Sequence, residues 1–165
     1  MVRAPEDRPA KDRGAGFTLV EAIVLITILG ILGSVGAPRF LSMRELEGAR
    51  AHRQALSDLR YAQRQAAASG CPVQVDFDAT GYRLTQRRSC RSGAYDLQLV
   101  DPVTNQAPHV VSLPEGITLT SSVDPVVFDT LGRITRSDGT TTALAVQIGG
   151  LSLEGVGETG LVRVP

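Results

Sequence analysis

The chain has 165 residues, enough for one modest domain, and its 17 lysines and arginines balance 17 acidic residues. That balance excludes a global electrostatic drive toward nucleic acid or acidic partners. Aromatic residues make up only 4% of the chain, so few rings are available for stacking single-stranded bases.

Residues 1–16 form a short charged leader, with Arg3, Arg8, Lys11 and Arg13 against Glu6, Asp7 and Asp12, ending in Gly16. Residues 17–40 are mostly apolar, long enough to cross a bilayer as a helix. Basic residues beside such a segment favour the cytoplasmic side, which puts the remainder of the chain on the far side of the membrane. An ordinary secretory signal is cut after its apolar core at small residues. Here the small-residue site, Gly16, precedes the core, so cleavage there leaves the apolar segment on the mature chain. An uncleaved signal anchor is the alternative.

Glu21 sits four residues into the apolar run. A carboxylate in hydrocarbon needs a cation, and this segment supplies none before Arg39. Cleavage after Gly16 would create an ammonium at Phe17, at about the depth of Glu21, which a second chain could offer. The plainer alternative is a carboxyl that snorkels to the headgroups or is protonated. Gly16 offers an unhindered backbone to a peptidase, or else serves as a flexible joint. Further along, Gly30, Gly33, Ser34, Gly36 and Ala37 would permit close helix approach. Pro38 is expected to kink or loosen the helix.

From 41 to about 69 the sequence is rich in good helix formers. Ala49, His52, Leu56, Leu59, Ala62 and Ala66 recur at three- and four-residue steps on one face. Ser69-Gly70 and Pro72 end the pattern, giving one helix of about fifty residues, apolar all round and then amphipathic. Arg39, Arg50, Arg53, Arg60 and Arg64 fall in a second arc of about 80°. That stripe reads either as a basic track for DNA or, more simply, as a solvated or intersubunit face with Glu47 pairing to Arg50.

After Pro72 the period becomes two. Val73, Val75 and Phe77 alternate with polar residues, Asp78-Ala79-Thr80-Gly81 turns, and Tyr82 and Leu84 follow on a second strand. The open end of this hairpin would bring Cys71 near Cys90. In an oxidising compartment a disulfide there would stabilise the fold by about 3 kcal/mol, the alternative being two unpaired thiols. Arg87, Arg88 and Arg91 beside Cys90 could contact phosphate, or simply decorate a loop. Further short strands are expected at 95–100, 109–113, 117–121, 125–129, 132–136, 142–148 and 160–164. The glycine-rich stretch 149–160 reads as a mobile loop or a bulged strand pair. The fold class is α+β: a long N-terminal helix packed on antiparallel sheet. Neither a catalytic motif nor a Cys/His metal cluster stands out, so no enzyme activity, cofactor or metal is called for. His52, on the helix face toward the sheet, reads as a core or boundary histidine.

Gly16-Phe17-Thr18-Leu19-Val20-Glu21 resembles the class III signal of type IV pilins and type II secretion pseudopilins. Val126-Val127-Phe128-Asp129-Thr130-Leu131-Gly132-Arg133 and Gly160-Leu161-Val162-Arg163-Val164 resemble stretches of the GspH/FimT branch, which often has a basic residue where this chain has Leu161. The resemblance implies a leader (1–16) removed by prepilin peptidase after Gly16, with N-methylation of Phe17. It implies a transmembrane and assembly half-helix (17–40), an amphipathic half (41–70) and a β-rich periplasmic domain (71–165). Glu21 would pair with a neighbour's N-terminal ammonium as the helix joins a filament. The implied role is a minor pseudopilin that docks into and primes a type II secretion pseudopilus. A type IV minor pilin that handles DNA and a stand-alone membrane-anchored binding domain are the alternatives. The implied partners are other major and minor pilins or pseudopilins, the peptidase, the inner-membrane assembly platform, lipid before assembly, and secreted cargo or DNA.

Overall fold

The computed structural model describes residues 18–165, with side chains for all of these except 33–42. The leader, Gly16 and Phe17 therefore lie outside the described residues, as do the side chains of Gly33 to Arg39. Two compact units are present, one ending at Phe40 and one beginning at Leu41.

Helix α1 spans Leu19–Ser69, 51 residues. Thr18 opens it: its hydroxyl accepts the Glu21 backbone N–H at 3.3 Å. Thr18 and Glu21 thus stand in the Thr-x-x-Glu relation of a capping box, and an acid in the first turn suits the helix dipole. The helix continues through Pro38, whose expected kink lies among the undescribed side chains. Gly70, with φ +64, takes the left-handed conformation that follows the helix end.

In the second unit one face of α1 is buried, centred on Ala51, Ala55, Asp58 and Ala62 and bordered by Leu59 and Ala66. Alanines order at no side-chain entropy cost and let the helix lie close against the sheets. The expected stripe is corrected at two places. Ala49 and Leu56 are only half-buried, because they stand roughly 130–150° from the centre of this face. His52 is buried on its border, with Nε2 2.9 Å from the Ser152 carbonyl oxygen.

Ten strands follow: β1 (Val73–Asp78), β2 (Gly81–Gln86), β3 (Leu97–Gln98), β4 (Val110–Ser112), β5 (Leu119–Ser121), β6 (Val126–Phe128), β7 (Ile134–Thr135), β8 (Leu144–Ile148), β9 (Leu151–Gly155) and β10 (Val162–Arg163). All pairings are antiparallel. The first sheet runs β3-β2-β1-β6-β7, with β4 also on the outer edge of β2; the second runs β10-β9-β8-β5. The β1–β2 hairpin turns where the Asp78 carboxylate accepts the Thr80 N–H and hydroxyl, each at 2.7 Å. At its open end Cys71 and Cys90 are joined as a disulfide, with Cα atoms 4.3 Å apart. Phe128, Leu59, Leu84, Ile134, Ile148 and Leu153 are the largest apolar side chains fully buried in the core.

Within the glycine-rich segment, Leu151–Gly155 form a regular strand with no bulge, and 156–160 turn toward β10. Strand β9 pairs residue for residue with β8, from Leu144↔Gly155 to Ile148↔Leu151. Gly149 (φ +57) and Gly150 (φ +84) make the two-residue turn between them, a geometry that requires positive φ at both positions. Gly155 has a packing reason: a Cβ there would come within 2.5 Å of Ile134 Cδ1.

Candidate functional site

Every large apolar side chain from Leu19 to Leu32 is exposed, from 46% at Leu25 to 75% at Leu19. Each such side chain gains about 1.5–3 kcal/mol on leaving water. A surface of this kind needs a cover, either lipid or other helices. The one hydroxyl in the stretch, on Thr27, donates to the Ile23 carbonyl at 2.7 Å and is satisfied within the helix. Glu21 is exposed, in the first turn of the helix. Among the described residues no helix is long and apolar enough to cross a membrane.

Arg53, Arg60 and Arg64 line one shallow groove of about 280 Å³ with Leu56 and Ser57. Two of these arginines are held from behind. Arg53 Nε donates to the Ala49 carbonyl at 3.1 Å, and Arg60 Nε to the Val162 carbonyl at 3.0 Å. Arg50 is exposed but does not line the groove. No ion pair joins it to Glu47: the described ion pairs are Arg88–Asp96, His109–Asp58, Arg133–Asp129 and Arg163–Glu154. The expected cluster of Arg87, Arg88 and Arg91 is divided. The Arg87 guanidinium lies 4.7 Å from the Tyr95 ring centroid, and Arg88 Nε is 3.2 Å from Asp96. Only Arg91 is left facing solvent without a described bond.

A buried polar network went unread in the sequence. The Tyr82 hydroxyl donates to Asp58 Oδ2 at 2.7 Å, and His109 Nε2 lies 3.3 Å from the same oxygen, an ion-pair contact short of full hydrogen-bond geometry. The Tyr61 ring stacks on His109 with centroids 5.9 Å apart, and its hydroxyl donates to the Val100 carbonyl at 3.1 Å. Burial alone would lower the His109 pKa. The nearby Asp58 carboxylate, then Asp101 and the Val100 carbonyl, outweigh it and raise the pKa above the ordinary 6.5. Burial and the Asp58 charge push the Tyr82 phenol well above its usual range. Since Asp58, Tyr82 and His109 are each at most 5% exposed, the group works as a structural tie between α1, β2 and the segment entering β4. The signal for it was Asp58 itself, an acid at the centre of an alanine stripe. Among the described residues no cluster of His, Cys, Asp and Glu could hold a metal ion.

Residues 51–159 match the family model described as type II transport protein GspH. The structure is similar to the minor pseudopilin EpsH from the type 2 secretion system of Vibrio cholerae, with a TM-score of 0.54 and 17% identity over 72% of this chain and 96% of that one. It is also similar to the type IV minor pilin FimU of Pseudomonas aeruginosa strain PAO1, with a TM-score of 0.49 and 13% identity over 73% of this chain and 90% of that one. At these identities the likeness is one of fold. No curated protein matches the sequence.

Proposed function

Because the chain belongs to the GspH family of type II transport proteins, we propose that it is a minor pseudopilin that docks into and primes a type II secretion pseudopilus. The observation that carries this is the exposed apolar start of α1, with Glu21 as its single acid, on a chain whose β domain has the family's fold. The chain is made with a leader (1–16), cut after Gly16 and methylated at Phe17. Residues 17–40 then hold it in the inner membrane, N-terminus cytoplasmic and β domain periplasmic, until assembly.

Assembly transfers the apolar half-helix from lipid to the core of a helical polymer. Apolar burial changes little in that transfer, so direction must come from a polar contact. Glu21 supplies it by pairing with the ammonium at Phe17 of an adjacent subunit; methylation keeps the amine's charge. The small residues from Gly30 to Ala37 allow close approach, and Pro38 lets the helix bend into the polymer. The role is structural, with force supplied by other proteins of the inner-membrane platform. Secreted protein is the cargo.

The Glu21→Ala chain is expected to remain in the membrane fraction and to be absent from sheared filaments. Its normal incorporation would overturn the reading. A second reading, a type IV minor pilin that binds DNA, would use the outward groove of Arg53, Arg60 and Arg64. It requires salt-sensitive DNA binding that Arg→Ala changes abolish; absence of binding at low salt removes it.

A further inference from the structure

We propose that the groove of Arg53, Ser57, Arg60 and Arg64 is a docking site for a row of carboxylates on a helix of a different filament subunit. The inference rests on the reading of this chain as a filament subunit and names the partner chemistry of one of its faces.

Three cations share one groove on α1, and no described ion pair neutralises any of them. With Nε engaged on a backbone carbonyl, Arg53 and Arg60 have their planes fixed while the terminal nitrogens stay free. A guanidinium fixed in this way loses little freedom on binding, and its remaining donors match a carboxylate two-to-two. Ser57 and Leu56 complete the lining, one polar and one apolar.

The spacing selects the occupant. Arg53, Arg60 and Arg64 are seven and four residues apart, or about 10 and 6 Å along the axis. A facing helix with Asp or Glu at i, i+7 and i+11 presents carboxylates at the same steps. Helix α1 carries Glu21, Glu45, Glu47 and Asp58, which contain no such triplet, so a second copy of this helix does not fit. Nucleic acid is disfavoured as well. The chain has no net charge to steer a polyanion, and the ring beside this stretch of helix, Tyr61, is stacked on buried His109.

The test uses the full-length chain in its native cell, with a photoreactive benzoyl-phenylalanine in place of Ser57. Irradiation is expected to yield an adduct with another subunit that has a pilin-type N-terminal helix, mapped to a peptide bearing the acidic triplet. Arg64→Glu is the clean variant, because Arg64 makes no described bond within the chain. It should lower the adduct yield about tenfold, the scale expected for reversing one charge in a matched pair, while Arg64→Lys keeps most of it and thermal unfolding is unchanged in both. A nuclease-sensitive adduct, a lipid adduct, an adduct with a second copy, or no adduct from a chain that still enters filaments overturns the proposal and leaves the filament reading standing. A parent chain that never enters filaments overturns both.

Discussion

Burial lowers the His109 pKa, but neighbours on more than one segment raise it on balance: Asp58 from α1, and Asp101 and the Val100 carbonyl from the loop before it; Tyr61 stacks over the ring, and Tyr82 of β2 shares Asp58. The His109 pKa in the folded chain lies above the unfolded value. Its contribution to stability is therefore fully present below about pH 6.5 and is lost as pH rises through the raised value. Thermal unfolding should show a falling midpoint from pH 6.5 upward, and His109→Gln should flatten that slope. An unchanged slope would contradict the assignment. Asp58→Ala leaves the His109 and Tyr82 donors buried without an acceptor and is expected to cost about 3–5 kcal/mol in urea unfolding. Beyond Asp58 in the alanine stripe, neither interaction has a local pattern in the sequence, because its other members come together only in the folded chain.

At the scale of elements, what repeats along the chain was readable and what depends on close packing was not. Val73, Val75 and Phe77 announce β1 by alternation, and the alanine steps announce the helix face, because each follows from the geometry of one element. Strand β9 hid behind glycines that locally signal a loop; Gly155 is there because Ile134 and Leu144 occupy the space of its side chain. The alanine stripe yields a sharp test. Ala62 has no exposed surface, so Ala62→Leu should overpack the contact between helix and sheet and destabilise by about 1–3 kcal/mol in urea unfolding. The Cys71–Cys90 bridge closes 19 residues of chain. Cys71→Ser should cost about 3 kcal/mol in the same assay under oxidising conditions. A loss below 1 kcal/mol would mean that the hairpin is held by its strand pairing alone.

At the scale of the molecule, a well-packed β domain follows a helix whose first turns expose only one acid among apolar side chains. The domain can bury its core unaided; the helix start cannot cover itself. The central claim is that processing at Gly16 supplies an ammonium at Phe17, which meets Glu21 of a neighbouring subunit and draws the apolar half-helix into a polymer. The most direct measurement is intact-mass and peptide mass spectrometry of the chain recovered from purified filaments of peptidase-positive cells. The account predicts a mature chain that begins with methylated Phe17 and co-purifies with other subunits of its class. A chain that retains Met1, is found outside filaments and is always solitary would contradict it.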